Sequence, residues 1–246
     1  MRHRVMRKFT RFCLSLLGSA VFCFAANAES ADDSLLVYAV NIHQTPMQSW
    51  GPGYGIYLGN GLFVTAAHVA GHTWFTRPKV AIAGTEYPTR VVKAGDYETI
   101  DLTVLSVDEA LLPTRLALRR NPLCAEPPWP GEPVITVVPE GTARSRILSP
   151  QKLPVTVQKF NTVISDVART GNSGSGVFDA DKKCLLGIMS RKISVPGEKG
   201  PGKDQLRDIA KYFVPASTIM QFLPAELRQE MTFSNIHNKE LQIRVQ

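Results

Sequence analysis

Apolar and β-branched residues fall at alternate positions, or in short unbroken runs, along most of this chain, and turn-forming residues separate the runs. LLVYAVNI (35–42), GYGIYLG (53–59), LFVTAA (62–67), KVAIAG (79–84), TRVVKA (89–94) and DLTVLSV (101–107) make a first series. EPVITVV (132–138), VTVQK (155–159), TVISDV (162–167), SGVFDA (175–180), CLLGIMS (184–190) and IAKYFVP (209–215) make a second. Runs of this length and period predict β-strands, because alternate side chains of a strand point to opposite faces. Asn60-Gly61 between two of them predicts a tight hairpin. Apolar residues at helical spacing first occur in ASTIMQFLPAEL (216–227), which predicts a terminal helix despite Pro224.

RRNPLCAEPPWPGEP separates the two series and holds five prolines in fifteen residues, too many for a helix or a central strand. It reads as a linker. The expected fold class is therefore all-β: two antiparallel six-stranded β-barrels, over 29–120 and 121–230, the second carrying the short C-terminal helix. Residues 231–246 form a polar tail, and VPGEKGPGKDQLRD (195–208) reads as a loop.

Residues 1–28 break the pattern. Five basic residues (Arg2, Arg4, Arg7, Lys8, Arg11) precede the apolar run CLSLLGSAVFCFAA, and Ala26-Asn27-Ala28 supplies an A-x-A cleavage pattern. These features predict a secretory signal peptide; the alternative is a short membrane anchor, for which the apolar run is short. The expected location is exported, either periplasmic or secreted, with no stable membrane anchor. Removal of the segment also changes the charge. The whole chain carries +7, but 23 basic against 21 acidic residues remain after residue 28, a net +2. The basic excess thus leaves with the signal and gives no ground for a nucleic-acid partner.

Of four cysteines, Cys13 and Cys23 lie in the signal segment, leaving Cys124 and Cys184. In an oxidising compartment a pair of this kind is expected to form a disulfide, the alternative being two buried thiols. Histidine, cysteine and carboxylate residues show no metal-ligand spacing, and neither a metal nor a cofactor is expected.

The chemistry concentrates in three short stretches. RTGNSGSGVF (169–178) surrounds Ser173 with glycines, which suits either a plain turn or a bend whose backbone N–H groups face a developing negative charge. A serine hydroxyl becomes a useful nucleophile only beside a base, and that base needs a third group to hold its tautomer. LFVTAAHVA places His68 directly after a strand, and IDLTVLSV places Asp101 at the mouth of another. Asp96 and Glu98 compete with Asp101, but only Asp101 leads straight into the apolar run. His43, His72 and His237 have no comparable setting.

TAAH, DLTVL and GNSGSGVF, in that order and at these separations, resemble the three motifs of the trypsin-like (chymotrypsin-fold) serine peptidases, in particular their bacterial HtrA-type and glutamyl-endopeptidase branches. The resemblance spans about residues 35–225. It implies a catalytic triad of His68, Asp101 and Ser173, an oxyanion hole from the backbone N–H groups of Gly171 and Ser173, and protein or peptide substrates. It implies a substrate pocket walled by Val167, Ala168, Arg169 and Thr170 on one side and by Met189, Ser190, Arg191 and Lys192 on the other. Val167 stands where an acid would select basic side chains, and Met189 where glutamyl endopeptidases carry a histidine, so an aliphatic P1 preference is expected. Ser190 matches the family serine that hydrogen-bonds the catalytic aspartate. Asn172 stands where zymogen-activated members carry an aspartate, which argues against activation by a newly cut N-terminus. No PDZ module of the HtrA type is expected. The reading from another class is a catalytically silent barrel pair that binds proteins.

Overall fold

A computed structural model describes residues 32–44, 53–158, 162–165, 173–197 and 206–231. Residues 1–28 and all but the first of residues 231–246 lie outside that range. The strands are β1 (Ala39–His43), β2 (Gly53–Gly59), β3 (Leu62–Thr65), β4 (Lys79–Ile82), β5 (Thr85–Pro88), β6 (Arg90–Ala94), β7 (Thr103–Ser106), β8 (Pro133–Val138), β9 (Gly141–Arg146), β10 (Val163–Ile164), β11 (Gly176–Asp179), β12 (Leu185–Pro196) and β13 (Leu206–Pro215). They form two curled antiparallel sheets, one in the order β5-β4-β1-β2-β3-β7-β6 and the other in the order β10-β13-β12-β11-β8-β9.

The chain is mostly β, as expected, but the first sheet has seven strands where six are expected, because the polar stretch Thr85–Pro88 pairs with β4. Polar β9 is likewise a strand without an apolar signature; its backbone pairs with β8 along Pro133–Val138 while its side chains stay largely in solvent. The first half of the expected strand 35–42 and most of the expected strand 155–159 are wound instead, while residues 39–42 of the former do form β1. Asp33–Tyr38 and Val155–Val157 form 3-10 turns, the second directly after Pro154. The expected loop over 195–208 is shortened from both ends, since Val195 pairs with Arg207 and Pro196 with Leu206. At the C-terminus the helix Ala216–Phe222 stops at Leu223, held extended (φ −59°, ψ 144°) by the proline that follows it. A second short helix then covers 225–231.

Asn60 and Gly61 both have positive φ (51° and 70°), the backbone that a two-residue hairpin requires, and Asn-Gly adopts it at low cost. β2 is buried along its full length because its two faces meet different cores. Ile56 and Leu58 join Val64, Leu102 and Val104 against Ile135, Val137, Phe178 and Val214 of the second sheet, and the helix adds Ala216, Ile219 and Phe222. Tyr57 points the other way, into the first sheet's own interior with Phe63, Val80 and Leu105. Val134, Ile164, Val177 and Phe213 fill the second sheet's interior. The shared core holds one sheet against the other, and Ser190 of β12 meets Asp101, just before β7, across the seam.

Two cross-links tie distant segments together. Cys124 and Cys184 are joined, with Cα atoms 5.1 Å apart, and the linker lies against β12 through Cys124 N–H to Leu185 O (3.0 Å) and Leu185 N–H to Pro122 O (2.8 Å). Asp32, at the start of the described chain, accepts from Arg144 Nε (2.6 Å) and Nη2 (2.7 Å) and from Lys183 Nζ (2.8 Å). Burial pushes the Asp32 carboxyl up, and the hydrogen bonds and charges of Arg144 and Lys183 outweigh it, leaving it below its ordinary value.

Opening the disulfide by Cys124→Ser with Cys184→Ser should cost about 4 kcal/mol on the loop-entropy account, read as a lower midpoint in denaturant with an intact fold. Asp32 stabilises the fold fully above the ordinary carboxylate pKa, and the contribution is lost as pH falls through the depressed folded value. Asp32→Asn should therefore lower Tm by a few degrees at neutral pH and by less in acid, a difference that thermal unfolding against pH will show.

Candidate active site

His68 lies in the one-turn helix Ala67–Ala70 that follows β3, and Asp101 sits just before β7. β3 and β7 are hydrogen-bonded neighbours in register, with Thr65 opposite Thr103, so the two side chains leave the same end of the same strand pair. His68 Nδ1 is 3.0 Å from Asp101 Oδ1 and 2.9 Å from Oδ2, and the backbone N–H of His68 donates to Oδ1 at 3.1 Å. A carboxylate accepts only, so Nδ1 carries a proton, and in the neutral imidazole the lone pair is then on Nε2. The His68 side chain is 34% exposed, whereas that of Asp101 is 1% exposed. The dyad therefore presents a base to the cleft and keeps its acid inside the protein.

Ser190 on β12 closes the carboxylate's surroundings from the other sheet. Its hydroxyl donates to Asp101 Oδ2 at 2.5 Å. Desolvation pushes the Asp101 carboxyl up, but the hydrogen bonds from the His68 imidazole, the Ser190 hydroxyl and the His68 backbone outweigh it and hold the group below its ordinary value. An irregularity in the β12–β13 register between Met189 and Arg191 falls at Ser190, the kind of bulge that re-aims a side chain beside a site.

Ser173 reaches the same place on the turn before β11. Its carbonyl accepts from Tyr54 N–H of β2 (3.1 Å), and Gly174 N–H donates to Met189 O (2.8 Å), so both sheets grip the turn. Gly174 has φ +87°, and a Cβ there would stand 1.8 Å from Tyr54 O, which leaves room for no other residue. The Ser173 hydroxyl donates to Ser190 O at 2.9 Å, and among the described residues no hydrogen bond joins it to His68. Ser190 thus touches the serine through its carbonyl and the aspartate through its hydroxyl.

The other sequence-derived positions divide. Gly171, Val167, Ala168, Arg169, Thr170 and Asn172 lie outside the described residues. Met189 is buried among Val177, Phe213 and their neighbours in the second sheet's interior, where it backs the cleft. The Arg191 side chain crosses to the loop before Asp101, with Cζ 4.0 Å from the Tyr97 ring centroid, and Lys192 pairs with Asp208 at 2.9 Å. The sequence reading missed Tyr97, whose ring edge meets the His68 imidazole at 5.3 Å and 84°. It also missed Lys211 on β13, 3% exposed, whose ammonium is pushed down to about 8 by burial and by Lys192. A tyrosine inside the polar stretch AGDYETID and a lysine inside an apolar strand are the signals that could have drawn attention to them. Among the described residues, no group of three or more histidine, cysteine or carboxylate side chains could hold a metal ion, and no helix is long and apolar enough to cross a membrane.

Comparison with known proteins follows this geometry. The protease Rv3671c in its inactive form is 16% identical over 77% of this chain and 88% of its own, with a TM-score of 0.53. The active form of Rv3671c, from M. tuberculosis, is 18% identical over 90% of this chain and 95% of its own, with a TM-score of 0.51. A serine endoprotease from Yersinia pestis is 18% identical over 76% of this chain and 61% of its own, also with a TM-score of 0.51. At these identities the likeness establishes the fold, which is chymotrypsin-like. A search of curated protein sequences finds no match. Residues 53–188 match the trypsin-like peptidase domain, a span that runs from β2 through the His68, Asp101 and Ser173 motifs into β12, and the chain belongs to that family.

Proposed function

We propose that this protein is an exported serine endopeptidase that cleaves peptide bonds in proteins or peptides through a His68–Asp101–Ser173 triad and an acyl-enzyme. The observation that carries the proposal is the buried Asp101 carboxylate, which fixes the His68 tautomer and leaves Nε2 free toward the cleft that holds Ser173. In the first step Ser173 Oγ attacks the scissile carbonyl carbon while its proton passes to His68 Nε2. The C–N bond then breaks, and the same proton moves to the leaving amine. Water repeats the sequence on the ester: its oxygen bonds the acyl carbon, His68 takes its proton, and Ser173 Oγ leaves with a proton from His68. Asp101 stays ionised throughout and stabilises the imidazolium.

For this to proceed the Ser173 hydroxyl must exchange its acceptor, leaving the Ser190 carbonyl for His68 Nε2. Catalytic hydrogen bonds are often long or misdirected in a free enzyme and tighten when substrate binds. Backbone N–H groups of Gly171 and Ser173 serve as the oxyanion hole in this proposal, and Val167, Ala168, Thr170, Met189, Ser190 and Arg191 as the substrate-binding wall. A preference for small or medium aliphatic P1 residues follows from Val167, Ala168 and Met189. Export accords with the disulfide, which an oxidising compartment preserves.

Ser173→Ala should abolish peptide hydrolysis, and Asp101→Asn should lower kcat by about 10⁴-fold while leaving the fold in place, because an amide opposite Nδ1 favours the wrong tautomer. Both are read from steady-state kinetics on a peptide substrate. Hydrolysis at the wild-type rate by Ser173→Ala would remove the triad. A peptide-library cleavage profile should be led by aliphatic P1 residues; one led by Arg, Lys or Glu would refute the proposed preference.

A further inference from the structure

Resting on the peptidase reading above, we infer that Arg191 and Tyr97 form a latch across the cleft, through which a residue of the second sheet positions the histidine base carried by the first. Arg191 follows Ser190 on β12. In a regular strand successive side chains leave opposite faces, yet here Arg191 Nε lies 3.4 Å from Ser190 Oγ, so the guanidinium folds back to the face that Ser190 presents to Asp101. The register irregularity between Met189 and Arg191 permits this.

From there the guanidinium grips the loop before Asp101 at two points. It stacks over the Tyr97 ring at 4.0 Å, and Nη2 donates to the Tyr97 carbonyl. A planar guanidinium can stack and donate in its own plane at once, which a lysine ammonium cannot reproduce. The loop itself is short and closed, by Gly95 N–H to Leu102 O (2.8 Å) and Asp96 N–H to Ile100 O (3.1 Å), so holding Tyr97 holds the whole approach to Asp101.

Tyr97 in turn touches the base. Its ring meets the imidazole edge-on at 5.3 Å. Hydrogen bonds from Nδ1 to Asp101 fix one edge of that imidazole, and the side chain is 34% exposed, so its far edge gains from a further contact. An edge-to-face contact supplies it and keeps Nε2 aimed across the cleft. Arg191 acts through Tyr97 and is a positioning residue.

The test measures the rate at which a small fluorophosphonate labels Ser173 in the full mature protein, beside kcat and KM on a peptide substrate. The probe reports the nucleophile and its base without extending along the cleft. Arg191→Met should slow labelling about tenfold and lower kcat in proportion, and Arg191→Lys should recover only part of the loss. Tyr97→Leu should match Arg191→Met, and Tyr97→Phe, which keeps the ring and the main-chain carbonyl, should restore most of the rate. The Arg191→Met/Tyr97→Leu double variant should be no slower than either single one, because both break the same contact. Thermal unfolding confirms that each variant is folded. If wild type labels at Ser173 and Arg191→Met labels equally fast, or if the two losses multiply, the latch is wrong and the peptidase reading stands. If folded wild type is not labelled at all, the peptidase reading fails and takes the latch with it.

Discussion

A carboxylate inside a protein is costly unless hydrogen-bond donors replace the water it loses, and Asp101 receives three such donors, contributed from the sides of two separate sheets. His68 supplies its Nδ1–H and its main-chain N–H, and Ser190 supplies a hydroxyl. Removing a partner from such a group leaves a buried charge that costs several kcal/mol. The two sheets therefore cannot separate or slide without exposing or stranding the charge. The shared apolar core supplies the attraction between them, whereas the Asp101 contacts specify their register.

The same condition orders the chemistry. With Asp101 ionised and accepting from Nδ1, the neutral His68 has one tautomer available, which keeps the lone pair on Nε2. Ser190 connects this dyad to the serine turn, since one of its oxygens donates to the acid and the other accepts from Ser173. The Ser173 turn is in turn pinned to β2 by Tyr54, with Gly174 pressed against the Tyr54 carbonyl so closely that a side chain is excluded. The acid and the serine turn are thus each held by a contact that crosses between the sheets, and the imidazole is held through the acid, which accounts for the placement of all three motifs at the seam.

Much of the fold was legible because both faces of the central strands are buried, so β2, β3, β8 and β11 read as near-continuous apolar runs. What the pattern missed were elements whose side chains stay in solvent: β5 and β9 exist because their backbones complete a ladder, and a polar alternation such as GTARSR gives no apolar signal of it. LLVY failed in the opposite sense. Its residues are apolar enough for a strand, but burying Leu35 at the edge of the shared core is compatible with a 3-10 turn, and local periodicity does not distinguish the two. At the site, His68 and Asp101 could be picked out because each stands at the end of an apolar strand, and Ser190 through the family resemblance alone. For Tyr97 the only local signal is an aromatic residue inside the polar stretch AGDYETID, and its contact with a guanidinium ninety-four residues away is not encoded in any local pattern.

The dependence of everything else on the Asp101 carboxylate can be measured directly by proton–nitrogen NMR of His68 in the mature protein. A strongly downfield Nδ1 proton on His68 that vanishes in Asp101→Asn, with the remaining spectrum preserved, is the expected result. A His68 protonated on Nε2, with no downfield Nδ1 signal in the wild type, would contradict the account, because Nε2 would then have no lone pair with which to take the Ser173 proton.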